Sequence, residues 1–531
     1  MSPPPTDPSA VLEPFANEPL AELRRAKVRT AYREALTELD ARGPATVHSL
    51  IDGQPIDGAE VVRSTDPGRP SRTVAEHAPA SPADITRALA AARRAAGGWA
   101  RRPAVERAGI LVAAAAEMRR RRPGLAALIV RECAKPWADA DAEVAEAIDF
   151  LEYYARGGVE LAGGRELISP PGERNSLAYA ARGVAAVIAP WNFPLAIPTG
   201  MTAAALATGN AVILKPAEQS PACGAALVSI LHEAGVPGGA LGLLLGDGDV
   251  GRALVCGDVE TIAFTGSQAV GLEIIREAAT LRPGQHQLKR VVAELGGKNC
   301  VILDSDADLD EVIPAVLASA FSYAGQKCSA AARLLVPISL AGELGSRLAG
   351  AIDLLVVGQA EDFATEVPPL IEAAARERVD GYIALARRTG RILTAGRGGL
   401  PADGHFVGPA LVCDLPPDSP LIGEEIFGPV LTLETYDTLD EAFATVRASP
   451  FGLTAGFFSR HPGHVRRAIS ELPVGNLYVN RHITGAVVGR QPFGGNHLSG
   501  NGTKAGGPDY LLQFVEPRVA SENTIRHGLV V

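Results

Sequence analysis

A chain of 531 residues is too long for one hydrophobic core and predicts two or three domains. With 47% apolar and 21% charged residues it has the composition of a soluble enzyme. Its net charge of -10 argues against nucleic acid or an anionic membrane as partner, and no apolar run approaches the ~20 residues that span a bilayer.

The opening "MSPPPTDPSAVLEPFANEP" carries Asp7, Glu13 and Glu18 and no apolar core, unlike a secretory signal or an Arg-rich transit peptide. It reads as an arm lying over the surface, and the cytoplasm is the expected location. The six cysteines lie far apart with no C-x-x-C pair, which suggests neither a disulfide framework nor a metal site. "ADITRALAAARRAAGGWA" and "PAVERAGILVAAAAEMRR" predict helices. The segment 157–181, with Gly-Gly and Pro-Pro punctuating alternating residues, predicts a protruding hairpin.

A regular alternation begins at Gly183. "GVAAVIA", "AVILKP", "ALGLLL", "TIAFTG" and "KRVVAEL" read as buried strands separated by helical stretches. Continuously apolar strands alternating with helices imply an α/β fold with a parallel sheet covered on both faces. Ligands then sit beyond the carboxyl ends of the strands. A second alternation starts at the strand "NCVILD". The next helix aligns Leu309, Val312, Ile313, Val316, Leu317 and Ala320 on one face. Asp308 and Glu311 offer a capping box, and Pro314 is expected to kink the helix or mark its start. The helix runs out near Ala324-Gly325, leaving Cys328 on the following loop.

Cys133, Cys256, Cys300 and Cys413 fall in apolar elements and read as inert core thiols. Cys328 lies instead in "YAGQKCSA", beside Lys327 and Ser329, where a thiolate can be favoured. A nucleophile needs a base and a holder of developing negative charge. "VVAELGGKN" supplies Glu294 at the end of a strand, and "APWNFP" supplies Asn192 where a strand gives way to a helix. "AFTGSQAVG" places Gly266 and Ser267 before a helix whose free N–H groups suit phosphate. "ILKPAEQSP" places Lys215 and Glu218 at the next strand end, where a carboxylate accepts from ribose hydroxyls and repels a 2′-phosphate, favouring NAD over NADP.

In order, "APWNFP", "KPAEQSP", "FTGS", "ELGGK", "GQKC", "EIFGPV" and "PFGG" resemble the aldehyde dehydrogenase superfamily over almost the whole chain. The resemblance implies two doubly wound parallel-sheet domains plus a β bridging element through which subunits dimerise, alone or as an assembly of dimers. On that plan residues 1–158 and 182–294 form the NAD-binding domain, 295–500 the catalytic domain, and 159–181 plus 508–531 the bridge. It implies Cys328 as nucleophile, Asn192 with the Cys328 N–H as oxyanion hole, and Glu294 as base. Trp191, Lys215, Glu218, Gly266, Ser267, Glu425 and Phe427 correspond to NAD contacts.

The run from "GNLYVNRHITGAVVGRQPFGG" to "KAGGPDYLLQF" resembles the branch that oxidises L-glutamate-γ-semialdehyde, the 1-pyrroline-5-carboxylate dehydrogenases of proline breakdown. There Gly485 and Ala486 form, with Ser329, an anion nest for the α-carboxylate. Phe193 and Phe493 wall the aliphatic stem, and Glu146 aligns with a glutamate expected to hold the ammonium. Proline dehydrogenase is expected on a separate chain. Arg490 takes no role in this reading, and "AELGGK" lacks the Thr more usual in the branch. Succinate semialdehyde stays open as substrate, with Arg481 or Arg490 as the carboxylate partner. A catalytically silent scaffold or a thiol hydrolase on the same fold stays open as a different class.

Overall fold

The computed structural model describes residues 12–58, 60–283, 285–396 and 399–525. Most of the expected N-terminal arm, and the last six residues of the expected bridge, lie outside the described residues. Within them, no helix is long and apolar enough to cross a membrane.

The sequence folds into an α/β molecule with two seven-stranded sheets. The first runs Arg290–Glu294, Thr261–Thr265, Val184–Ile188, Ala211–Lys215, Leu241–Leu243, Ser49–Ile51 and Gln54–Ile56. Its five later strands are parallel, and the N-terminal hairpin adds antiparallel at the edge. Val184–Ile188 is buried at all five positions because each face meets its own layer. Val184, Ala186 and Ile188 share a cluster with Ile85, Ala88 and Ala92, whereas Ala185 and Val187 share one with Ala203 and Ala204. Such two-sided cover is what makes a parallel strand read as an unbroken apolar run.

The second sheet runs Arg391–Thr394, Ala410–Cys413, Val430–Tyr436, Ala331–Pro337, Asn299–Leu303, Thr454–Phe458 and Asn476–Val479. All its pairings are parallel except that of the first strand. A separate antiparallel ribbon joins Arg165–Glu166, Glu173–Ala181 and Val515–Asn523.

Four local expectations need correction. The hairpin does not begin at residue 157, because the helix Trp137–Ala162 runs through Gly157 and Gly158. A Cβ on Gly158 would stand 3.0 Å from the Ala207 carbonyl oxygen, and one on Gly157 would stand 2.9 Å from Leu511. These glycines therefore allow close packing instead of turning the chain. Asp308 does cap the helix Leu309–Phe321, but through the Asp310 N–H and without the reciprocal Glu311 contact of a capping box. The same helix runs from Leu309 through Pro314, so the proline is not its start. It ends at Phe321, earlier than expected, because the next turn changes hand: Tyr323, Ala324 and Gly325 have φ of 54°, 53° and 70°.

Filling the space above Gly158 tests its packing role. Gly158→Leu should destabilise the protein by about 1–3 kcal/mol, the usual range for overpacking, and lower the Tm in a thermal melt. An unchanged Tm would contradict the contact with Ala207.

Candidate active site

The left-handed turn at Tyr323–Gly325 delivers Cys328, and several anchors hold it. Left-handed backbone costs about 1–2 kcal/mol per non-glycine residue, so Tyr323 and Ala324 need support. The Tyr323 hydroxyl donates to the Cys133 carbonyl at 2.8 Å. The Gln326 side chain donates to the carbonyls of Tyr323 and Pro369 and accepts from the Ile371 N–H. Gly325 lies so close to Gly428 that a Cβ there would be 2.5 Å from its carbonyl oxygen. On the far side, Asn299 donates to the carbonyls of Cys328 and Ala330 at 2.6 and 2.9 Å.

Cys328 faces a narrow cavity of about 110 Å³. Every predicted substrate residue lines it: Glu146, Phe193, Ser329, Gly485, Ala486 and Phe493. Glu294 lines it too. Asn192 does not line this cavity; it is buried behind the Cys328 loop, its amide nitrogen donating to the Gln326 carbonyl at 3.0 Å. That bond uses one of the two amide hydrogens. Gly485 has φ 78°, and its N–H and that of Ala486 have no backbone acceptor among the described residues.

An adjoining cleft of about 480 Å³ lies beyond the ends of the first sheet's strands and takes in Trp191, Lys215, Glu218, Gly266 and Ser267. Thr265 lines both cavities and marks where they meet. Lys215 pairs with Glu218 at 3.2 Å, and Ser267 caps the helix Gln268–Ala278 through the Val270 N–H. Gly266 has no room for a side chain, since a Cβ would fall 2.5 Å from the Phe264 ring. Glu425 and Phe427 stand outside the cleft. Phe427 meets Trp191 edge-on at 5.7 Å, and Glu425 accepts from the Gly297 N–H at 2.9 Å.

The electrostatics correct one sequence expectation. Lys327 does not favour a Cys328 thiolate, because its ammonium bonds Asp139 and Ser322 at 2.7 and 2.8 Å. Burial, followed by the nearby Glu425 and Glu294 carboxylates, pushes the Cys328 thiol up to about 12, against which the Ser329 N–H works. Burial pushes Glu294 up to about 8, opposed by the Gly495 N–H and by Lys504. Glu146 is likewise raised to about 8 by burial and by Glu143, with Lys135 opposing. The expectation of an inert core thiol also fails at Cys256, which is partly exposed with Arg282 Nη2 at 3.0 Å, because its helix ends at the surface.

Sequence reading missed Lys135, which is sealed from water and paired with Glu143 at 2.6 Å. Its ammonium also donates to the Asn192 carbonyl at 3.0 Å and lies 3.3 Å from the Phe193 ring centroid. Glu143 in turn accepts from the N–H groups of Leu195 and Ala196. The only signal was a lysine before Pro136 in a stretch otherwise fit for burial. Lys504, which bonds the carbonyls of Gly494 and Gly495 beside Glu294, sat in the quoted "KAGGPDY" without a role. Lys298, in the quoted "ELGGK", is buried with no hydrogen-bond partner among the described residues, and burial pushes it down to about 7.

A cysteine and a glutamate on one cavity, beside a cleft at the ends of parallel strands, form a site equipped for covalent chemistry on a ligand held against the sheet. The aldehyde dehydrogenase family profile matches residues 56–520, and the chain belongs to that family. Within it, the chain is 39% identical over 514 residues to 1-pyrroline-5-carboxylate dehydrogenase 1 of Halalkalibacterium halodurans, covering 96% of this chain and 100% of that protein. Identity to the Bacillus subtilis 1-pyrroline-5-carboxylate dehydrogenase is also 39%, over 96% of this chain and 99% of the relative. The crystal structure of 1-pyrroline-5-carboxylate dehydrogenase from Thermus with bound NAD superimposes with a TM-score of 0.94 at 40% identity, over 96% of this chain and 99% of that one. Proline utilization A from Bdellovibrio bacteriovorus superimposes with a TM-score of 0.95 at 41% identity. That match covers 99% of this chain and 54% of the other, so the chain spans about half of that protein.

Glu294 also makes stability depend on pH. Between its ordinary value of 4.5 and about 8, the native state keeps a proton that the unfolded chain releases. Stability is therefore lost as pH rises through that window. Glu294→Gln removes this contribution, so its Tm should fall less than the wild type's between about pH 5 and about pH 9. Parallel Tm profiles would refute the raised carboxyl.

Proposed function

We propose that the chain oxidises L-glutamate-γ-semialdehyde, the open form of 1-pyrroline-5-carboxylate, to L-glutamate with NAD. The observation that carries this reading is the convergence of Cys328, Glu294, Glu146 and the Gly485-Ala486 turn on one cavity. The names and NAD-bound state of the relatives described above support it.

The Cys328 thiol loses its proton to water and its sulfur bonds the aldehyde carbon, turning the carbonyl oxygen into an alkoxide. The Asn192 amide and the Cys328 N–H hold that charge, each donor being worth about 3 kcal/mol. Lys215, Glu218, Gly266, Ser267 and Trp191 would hold NAD, with Glu425 and Phe427 as further contacts, and NAD would accept the hydride that the collapsing alkoxide expels from the carbon. The carbon is left as a thioester of Cys328. Glu294 takes a proton from water, the hydroxide adds to the thioester, and the carbon–sulfur bond breaks to give the acid. The raised Glu294 carboxyl makes this last step faster as pH rises through about 8.

At the other end of the substrate, the Gly485 and Ala486 N–H groups and Ser329 receive the α-carboxylate, and Glu146 receives the ammonium. Phe193 and Phe493 enclose the stem. A backbone nest, in place of an arginine, favours the amino-acid aldehyde over succinate semialdehyde. We also propose a homodimer joined through the ribbon, which leaves Ile168 93% and Val519 68% exposed in the single chain. Six free cysteines suit the reducing cytoplasm. A proline dehydrogenase is the metabolic partner that this substrate reading implies.

Three measurements test this reading. The kcat/KM for glutamate-γ-semialdehyde should exceed that for succinate semialdehyde, and the reverse order would defeat the substrate assignment. Cys328→Ala should abolish NADH formation while NAD still binds. Glu294→Gln should accumulate a covalent acyl-enzyme visible by mass spectrometry. For the ribbon, Ile168→Asp should shift the protein toward monomer in analytical ultracentrifugation, and an unchanged sedimentation coefficient would count against that interface.

A further inference from the structure

The N-terminal arm does more than lie on the surface. Its Asn17 amide nitrogen donates to Asp149 Oδ2 and to the Val488 carbonyl, both at 2.8 Å. Both acceptors are oxygens, so only the nitrogen end of the amide fits, and each of its hydrogens is used. The two acceptors stand on the two elements that wall the far end of the substrate cavity. Asp149 lies one helical turn after Glu146 on the helix Trp137–Ala162, and Val488 lies two residues after Ala486. The next arm residue repeats the grip, its Glu18 N–H donating to Asp149 Oδ1 at 2.6 Å. Phe15 packs edge-on to Tyr153 at 5.2 Å and closes over Gly489, where a Cβ would be 3.3 Å from its ring. Asp149 itself is buried, 4% exposed, so these donors satisfy a carboxylate that has little water.

We infer that Asn17 is a positioning residue that fixes the spacing between Glu146 and the Gly485-Ala486 turn, and thereby sets the preference for an aldehyde with charged groups at its remote end. The inference rests on the substrate reading above. It predicts a selective effect, because Cys328 and Glu294 are anchored by other residues.

The test uses the full chain with saturating NAD and two aldehydes, glutamate-γ-semialdehyde and propanal, which has no charged end. Asn17→Ala should raise KM for the semialdehyde by about tenfold, the effect of one ordinary hydrogen bond, with kcat little changed. Its kcat/KM for propanal should stay within about twofold of wild type, an effect of under 0.5 kcal/mol. Asn17→Asp should lose more on the semialdehyde than Asn17→Ala, since it sets a carboxylate against Asp149. If Asn17→Ala does not fold, Asn17→Gln, which keeps the donors on a longer stem, carries the same selective expectation. Equal losses on both aldehydes, or an unchanged semialdehyde KM, would overturn the role of Asn17. A wild-type enzyme indifferent to the two aldehydes would instead overturn the substrate reading, and this inference with it.

Discussion

The ammonium of Lys135 and the carboxylate of Glu143 meet at 2.6 Å with essentially no exposure, and much of the site is built on that pair. An isolated charge in that position would be prohibitive, so each partner holds the other in place and every remaining polar position must be filled. Lys135 fills its own with the Asn192 carbonyl and the face of Phe193. Glu143 fills its own with the N–H of Ala196, the first of the helix Ala196–Ala207, and that of Leu195 before it. One ion pair thus fixes the loop that bears Asn192 to the helix that bears Glu146. Breaking such a pair by removing one partner typically costs about 3–5 kcal/mol, which makes the loop position a consequence of folding and not of ligand binding.

Around that fixed frame the site is rich in carboxyl groups. Glu425, Glu294 and Glu146 all act on the Cys328 thiol, while the neighbouring Lys327 is committed to Asp139. The common outcome is retention of protons: the thiol, Glu294 and Glu146 are all held above their ordinary values. Protons retained in this way must move for chemistry to occur. The Ser329 N–H at the sulfur, and the Gly495 N–H together with Lys504 at Glu294, favour the charged forms. Backbone donors suit this task because they are fixed by the fold and carry no net charge.

The loop after Val479 shows how the two sheets share one cavity. Residues 485–505 return from the second sheet to the first, where Gly500 bridges to Glu294 and Phe493 bridges to Ala505. Lys504 ties the Gly494 and Gly495 carbonyls, so the N–H of Gly495 stays on the Glu294 carboxyl. The Gly485-Ala486 turn, Glu294 and the arm are therefore linked through one stretch of backbone.

The fold class was legible in the sequence because buried parallel strands must be continuously apolar. The motifs also singled out residues that share one cavity, Cys328, Glu294 and Glu146 among them. Tertiary structure alone decided the state and company of those residues. Lys327 is adjacent to Cys328 in sequence yet pairs with Asp139 across the fold, so adjacency misjudged the thiol. Gly157 and Gly158 look like turn residues, but a helix uses them where Leu511 and Ala207 approach. Lys135 looks like a surface lysine, and only the convergence of Glu143, Asn192 and Phe193 makes its burial tolerable. Desolvation and long-range pairing depend on which remote segments share a volume, and that is set by packing after the local elements have formed.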